Sequence, residues 1–118
     1  MPIKSYKDLI VWQKAVDLVD VVYKIVFFLP KQEQYILVSQ MLRAAISIAS
    51  NIAEGHRRNH KAEYIQFLSI ALASAAELET QLIITKRQYP QINYEKAEIL
   101  VEEVQKMLYV LIFKIKNG

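Results

Sequence analysis

The 118-residue chain contains no cysteine, only two glycines and only three prolines. Without cysteine it has no disulfide, no thiolate zinc site, no iron–sulfur cluster and no cysteine nucleophile. Glycine falls well below its usual share of about 7%, so little is available for tight turns or for loops that hold phosphates. These absences argue against β-rich and nucleotide-binding folds.

The sequence also lacks long apolar runs, metal-ligand clusters and catalytic patterns. Every unbroken apolar run is much shorter than the roughly 18 residues that cross a bilayer, and the N-terminus has no signal-peptide core. We therefore expect a cytoplasmic protein without a membrane partner. His56 and His60 share a loop with Arg57 and Arg58, which would repel a cation, so we predict no metal and no cofactor. No combination of nucleophile and base is recognisable, which predicts a non-enzymatic protein.

Three breaks divide the chain into four apolar-periodic segments. The breaks lie at Pro30, at Gly55 and at residues 89–93. We predict a single domain, residues 1–118, that folds as an all-α, antiparallel up-down-up-down four-helix bundle. Its predicted helices span about residues 7–28, 32–54, 60–88 and 94–116.

Glycine and asparagine residues predict where these helices end and begin. Gly55 is expected to stop the second helix as a left-handed residue just beyond its C-terminus. Asn59 and Asn93 are expected to cap the third and fourth helices through their side chains.

Apolar residues are more numerous than one small bundle needs. They form 53% of the chain and 57 of the 97 residues in the four segments, whereas a helix that shows one face to a core needs about three in seven. In the first segment two apolar stripes lie side by side. We predict that the inward stripe is Leu9, Trp12, Val16, Val19, Val22 and Val26. The surplus predicts that the first and last helices carry the subunit interface of a homo-oligomer.

The third segment carries a stripe of small residues. Ser69, Ala73, Ala76 and Thr80 recur at steps of four and three. Small side chains let helices approach closely, so we interpret this stripe as packing inside the bundle. A close contact between subunits is the alternative.

A polar stripe runs along the second segment. It consists of Arg43, Ser47, Asn51 and Glu54. Buried polar groups need hydrogen-bond partners, so Ser47 and Asn51 are expected to bond across helices, and Glu77 and Glu79 are candidate partners for Arg43. We interpret the stripe as fixing helix register, with a ligand or subunit contact as the alternative.

One end of the predicted bundle is basic. The net charge is +3, and the up-down arrangement brings the chain start, the loop at residues 55–60 and the chain end together. This basic end collects Lys4, Lys7, Arg57, Arg58, Lys61, Lys114 and Lys116. We predict sequence-nonspecific phosphate binding by Arg57, Arg58 and Lys61, followed by Lys114 and Lys116. Solvated helix-end lysines are the alternative.

Several sequence blocks resemble a known bacterial family. They are Ser5-Tyr6-Lys7-Asp8-Leu9, Val11-Trp12-Gln13-Lys14-Ala15, Gln40-Met41-Leu42-Arg43-Ala44-Ala45-Ile46-Ser47-Ile48 and Ala49-Ser50-Asn51-Ile52-Ala53-Glu54-Gly55. Together with positions from Glu63 to Leu82 they resemble the four-helix bundle proteins encoded in intervening sequences of 23S ribosomal RNA genes. Those proteins are related to the accessory variability determinant of diversity-generating retroelements. The likeness covers about residues 5–88.

The resemblance implies a compact bundle that assembles into a ring-like homopentamer. Its retroelement relatives bind nucleic acid and a reverse transcriptase through basic surfaces, while the family associated with ribosomal RNA genes has no established activity. The expected partners are therefore further copies of the chain, RNA or DNA, and another protein such as a reverse transcriptase. A protein-interaction scaffold or accessory subunit without nucleic-acid binding is the alternative function.

Overall fold

The computed structural model describes residues 5–118, so Lys4 of the predicted basic end lies outside the described part of the chain. Within that part the fold is all-α, as predicted. Its four helices are α1 (Ile10–Phe27), α2 (Ser39–His56), α3 (Lys61–Gln88) and α4 (Glu95–Asn117). They form a long, narrow bundle of 45 × 23 × 20 Å.

The first two helices begin later than predicted. Ser5 caps a short 3-10 turn, Tyr6–Asp8, because its Oγ accepts a hydrogen bond from the Lys7 backbone N–H at 3.1 Å. Leu9 is extended, so α1 begins only at Ile10. Ahead of α2, a 3-10 turn (Lys31–Glu33) and a π-helical turn (Gln34–Val38) occupy residues predicted to be α-helical.

Gly55 does not stop α2, and this prediction was wrong. It is buried inside the helix, which continues to His56, and no glycine between residues 5 and 118 has a positive φ. A Cβ at Gly55 would lie 2.8 Å from Phe67 Cβ and 3.2 Å from the Tyr64 carbonyl oxygen. Glycine is therefore required because α3 passes against its Cα, and conformational freedom plays no part.

The two predicted asparagine caps have different outcomes. Asn93 makes a bond of the kind expected, since its Oδ1 accepts a hydrogen bond from the Glu95 backbone N–H at 3.0 Å, but Tyr94 occupies the N-cap position of α4. The prediction for Asn59 was wrong, since His60 occupies the N-cap position of α3 and makes no side-chain capping bond.

Contacts between helix ends define how the chain runs. Near one end, the Tyr89 hydroxyl donates to Glu33 at 2.7 Å, and Lys86 pairs with Glu98 at 3.1 Å. These contacts join the end of α3 to the segment before α2 and to the start of α4. At the other end, Ser5 and Tyr6 share a cleft with the last residue of α2. The helices therefore alternate in direction.

The core uses a different stripe of α1 from the one predicted. Val11, Ala15, Leu18, Val22 and Ile25 are buried, at steps of four and three. Of the predicted stripe, Val22 alone is fully buried. The remainder lies at the edge, where Trp12 packs edge-on against Tyr6 with ring centroids 5.3 Å apart. The buried Val11, Leu18 and Ile25 belong to the second of the two apolar stripes. Two stripes that lie side by side do not reveal by apolar pattern alone which one faces inward.

The small-residue stripe of α3 is on the surface, so its interpretation as bundle packing was wrong. Ser69, Ala73, Ala76 and Thr80 are exposed, whereas Ala71 and Ala75 face the core. The hydroxyls of this stripe are bonded within the helix. Ser69 donates to the Ile65 carbonyl at 2.8 Å, and Thr80 to the Ala76 carbonyl at 3.0 Å.

Candidate nucleic-acid interface

The turn between α2 and α3 presents the central residues of the basic end. The backbone N–H of Arg57 bonds to the Ala53 carbonyl, and that of Arg58 bonds to the Gly55 carbonyl. These bonds extend the last turn of α2, so both arginines project from a defined backbone. Both side chains are exposed, but their environments differ.

Arg58 is held by two contacts on the protein itself. Its Nη2 lies 3.0 Å from Glu54 Oε2, one helical turn away, and its guanidinium lies 4.8 Å above the ring centroid of Phe67. The ion pair offsets its charge, and the cation–π contact fixes its direction. Arg58 is therefore less available to an outside anion than the sequence suggests.

Arg57 borders a polar cleft that the sequence did not predict. The cleft has a volume of about 290 Å³ and is lined by Ser5, Tyr6, His56 and Arg57. No carboxylate in residues 5–118 lies within ion-pair distance of Arg57. The cleft thus joins a free guanidinium to hydroxyl and imidazole groups, which are the donors that bind phosphate oxygens.

Aromatic contacts hold the walls of this cleft in place. The His56 ring packs edge-on against Tyr64, with centroids 5.9 Å apart, and Tyr6 rests on Trp12. Burial raises the pKa of the Tyr64 phenol above its ordinary value. The up-down arrangement predicts that the chain start lies near this loop, but no sequence pattern indicates that Ser5 and Tyr6 form a cleft with His56.

Lys61 is the first residue of α3 and is exposed. No side chain caps this helix, so N–H groups of its first turn remain for solvent or an anion. A lysine here is unfavourable for the helix dipole, which favours acidic residues at this end. A bound phosphate would be favoured both by the dipole and by the Lys61 charge.

Lys114 and Lys116 lie in the last turn of α4 and are exposed. Lys114 shares a groove with Leu9 and Ile10 at the start of α1, which places it at the same end of the bundle as the cleft. Both lysines complement the negative end of the α4 dipole. Arg57 and the chain start therefore form the centre of the basic end, and the two C-terminal lysines lie at its border.

A family comparison identifies the chain's relatives. The model of the 23S rRNA-intervening sequence protein family matches residues 7–110. The chain belongs to this family. The family therefore extends into α4, beyond the region on which the sequence resemblance rested.

A solved structure of the S23 ribosomal protein family supports the same assignment. This protein of unknown function from Bacteroides thetaiotaomicron VPI-5482 is 28% identical to the chain. The alignment covers 87% of this chain and 98% of the other, with a TM-score of 0.77. No curated protein matches the sequence.

In this family member the residues of the predicted polar stripe bond mainly within α2 and its C-terminal turn, and one bond crosses to α3. Ser47 Oγ lies 2.9 Å from Ser74 Oγ, which joins α2 to α3 as expected. Asn51 instead bonds within α2, where its Nδ2 donates to the Ser47 carbonyl and hydroxyl at 2.8 and 3.0 Å. Glu54 pairs with Arg58.

The predicted partners of Arg43 were wrong. Arg43 is exposed, and no ion pair joins it to Glu77, to Glu79 or to any other carboxylate among residues 5–118. An exposed arginine keeps its hydration without a carboxylate partner, so no buried charge requires compensation here.

Between residues 5 and 118, no three histidine, cysteine, aspartate or glutamate side chains cluster as metal ligands. Two helical stretches, Lys31–His56 and Lys61–Gln88, are long and apolar enough to cross a membrane: an 18-residue window in each has a mean hydropathy of 1.4, and 28% of that window is buried. This is weak evidence, because core helices of soluble bundles meet the same criteria. Both stretches contribute to the core here, through Ile48 and Leu68 among others.

Large apolar side chains remain exposed outside the core. Those on α1 and α4, the helices predicted to form a subunit interface, are Ile10, Tyr23, Phe27, Ile99, Tyr109, Val110 and Phe113. Phe27 is 81% exposed, and Tyr35 in the π-helical turn is 85% exposed. Ile70, Ile83 and Ile84 on α3 are exposed as well. A surface of this kind typically marks an interaction site.

Proposed function

We propose that the chain is a non-enzymatic homo-oligomer that binds RNA or DNA weakly and without sequence preference, through phosphates at its basic end. The observation that carries the proposal is the cleft beside Arg57, where a guanidinium that has no ion pair within residues 5–118 meets hydroxyl and imidazole groups. Lys61 at the uncapped start of α3 supplies a second cation. Because phosphate contacts carry no sequence information, such a surface binds many sequences.

Assembly strengthens this binding. The exposed apolar residues of α1 and α4 support a homo-oligomer, and the family resemblance favours a pentamer. A ring with parallel subunits repeats the basic end on one face, so that one nucleic-acid strand contacts several subunits and gains avidity. The modest net charge of +3 per chain then suffices for weak binding. Light scattering tests the assembly, and a monomer near 14 kDa would contradict it.

Fluorescence anisotropy on a labelled single-stranded RNA at low salt tests the nucleic-acid proposal. We expect the native chain to bind and the Arg57→Ala/Lys61→Ala variant to bind much more weakly. The matched control is Lys31→Ala/Arg87→Ala, which removes one lysine and one arginine, both exposed and both at the opposite end of the bundle. Equal affinities of the two variants would contradict the proposal, as would absence of binding by the native chain.

A protein-interaction scaffold is the second candidate function. It is supported by exposed Tyr35, Ile36 and Phe27, which lie at the opposite end from the basic residues. In this account the chain is an accessory subunit of another protein, such as a reverse transcriptase. It predicts a co-purifying partner whose binding is lost in Tyr35→Ser/Ile36→Ser, and it predicts no salt-sensitive binding of RNA.

A further inference from the structure

A cavity at the end of the bundle opposite to the basic end has the form of a small-ligand pocket. It lies between the C-terminal half of α1 and the turn that leads into α4, and its volume is about 550 Å³. Its walls are formed mainly by Val21, Ile25, Phe28 and Ile92. Ligand sites in proteins are typically apolar concavities of about 300–1,000 Å³ with a few placed polar groups.

Two lysines border this cavity, one from each of its two sides. Lys24 comes from α1 and Lys96 from the first turn of α4. No carboxylate of residues 5–118 pairs with either of them, whereas Lys86, at the same end, is paired with Glu98. Within the part of the chain that the structure describes, no acidic side chain lines the cavity. Both lysines are exposed, so their ammonium groups remain available to an anion at the edge of the apolar concavity.

We propose that this cavity binds a single-chain amphiphile with an anionic headgroup. Its apolar chain lies against Val21, Ile25 and Ile92, and its headgroup is bound by the ammonium groups of Lys24 and Lys96. The apolar walls favour the chain by removing its surface from water. The lysines favour the headgroup through charge-assisted hydrogen bonds.

Two features set this cavity apart from the rest of the surface. The apolar groove at the other end, between α1 and α4, is smaller, at about 330 Å³, and of its two lysines Lys106 is paired with Glu102, so that among residues 5–118 only Lys114 there lacks an ion pair. At the mouth of the larger cavity, Asn93 Oδ1 accepts a hydrogen bond from the Glu95 backbone N–H, which joins the turn to the start of α4. The inference is independent of nucleic-acid binding, since Lys24 and Lys96 do not belong to the basic end.

Calorimetric titration of the full chain with decanoate, below its critical micelle concentration, tests the inference. Decyl maltoside and decyltrimethylammonium carry the same chain with a neutral or a positive headgroup, and acetate carries the headgroup alone. We expect decanoate to bind about tenfold or more tightly than the other three, because an ionic hydrogen bond contributes roughly 1.5–3 kcal/mol. Equal binding of decanoate and decyl maltoside would overturn the proposal.

Variants locate the site. Lys24→Gln/Lys96→Gln is expected to weaken decanoate binding about tenfold, whereas Lys31→Gln/Arg87→Gln, with the same change of charge at the same end, leaves it unchanged. Ile92→Trp fills the cavity and is expected to abolish binding. Methyl NMR signals of Ile25 and Ile92 shift on titration, while that of the core residue Ile48 does not. Binding that survives both Lys24→Gln/Lys96→Gln and Ile92→Trp would overturn the assignment, as would absence of binding by the native chain.

Discussion

Gly55 of α2 and Phe67 of α3 approach so closely that a Cβ on the glycine would lie 2.8 Å from the phenylalanine Cβ. The obstructing atom is attached directly to the α3 backbone and cannot swing away as the end of a side chain can. Phe67 also lies below the Arg58 guanidinium. The same contact therefore joins the packing of α2 on α3 to the geometry of the basic end.

Gly55→Ala is expected to destabilise the protein. Alanine favours a helix over glycine by about 1 kcal/mol, but overpacking typically costs about 1–3 kcal/mol. We expect the free energy of unfolding to fall by about 1 kcal/mol, measured by urea denaturation. Ser50→Ala, at an exposed position of α2, is the control and is expected to be close to neutral. A stabilised Gly55→Ala variant would show that α2 and α3 do not approach this closely.

The Ser47–Ser74 hydrogen bond is expected to couple α2 and α3 energetically. In a double-mutant cycle with Ser47→Ala and Ser74→Ala, we expect a coupling free energy of about 0.5–1.5 kcal/mol. The control is a second cycle with Ser47→Ala and Ser69→Ala. The Ser69 hydroxyl bonds within α3, so this cycle should give no coupling. Equal coupling in the two cycles would contradict a specific bond across the helices.

The two arginines of the α2–α3 turn are expected to contribute unequally to RNA binding. Arg57→Ala should weaken binding more than Arg58→Ala, because Arg58 already pairs with Glu54 and rests on Phe67. Glu54→Gln frees Arg58 and should strengthen binding slightly. Anisotropy titrations of the three variants at one salt concentration measure these differences. A larger loss for Arg58→Ala would contradict the assigned roles.

The hydrogen bond between Tyr89 and Glu33 is expected to make the stability of the protein decrease at alkaline pH. The hydrogen bond to Glu33, followed by burial and the charge of that carboxylate, raises the pKa of Tyr89 above 10.0. A raised pKa contributes stability that is present below about pH 10 and is lost as the pH rises through the folded-state pKa. The stability difference between the native chain and Tyr89→Phe should therefore narrow between about pH 8 and about pH 11.

Urea denaturation at both pH values measures this difference. Tyr109→Phe is the control, because the hydroxyl of this exposed residue makes no hydrogen bond to residues 5–118. Its effect should be the same at the two pH values. A stability difference for Tyr89→Phe that stays constant with pH would contradict the role of the Glu33 bond.

The helical architecture was predictable from the sequence, whereas several contacts were not. Helix number and order follow from apolar periodicity and from a few breaks, which are local properties. The role of Gly55 depends on the position of Phe67 in another helix, so the local rule that glycine ends helices gave the wrong result. The exposure of Ala73 and Ala76 likewise depends on how α3 is rotated in the bundle.

The candidate site was predictable only in part, because some of its features are local in the sequence and others depend on contacts between elements. Arg57 and Lys61 stand out as charges in a turn, and the up-down arrangement places the chain start beside them. The cleft with Ser5 and Tyr6 needs the 3-10 turn that precedes α1, which no periodicity indicates. The pairing of Arg58 with Glu54 follows from their four-residue spacing, which favours an ion pair on a helix and is visible in the sequence.

The salt dependence of RNA affinity tests the central claim most directly. For single-stranded RNA, the logarithm of affinity falls with the logarithm of salt concentration by about 0.7 for each phosphate contact. Removing Arg57 and Lys61 should therefore reduce the magnitude of the slope by about 1.4 for each subunit that the strand contacts, while the Lys31→Ala/Arg87→Ala control keeps the native slope. Equal slopes for the native chain and the Arg57→Ala/Lys61→Ala variant would contradict phosphate binding at the basic end.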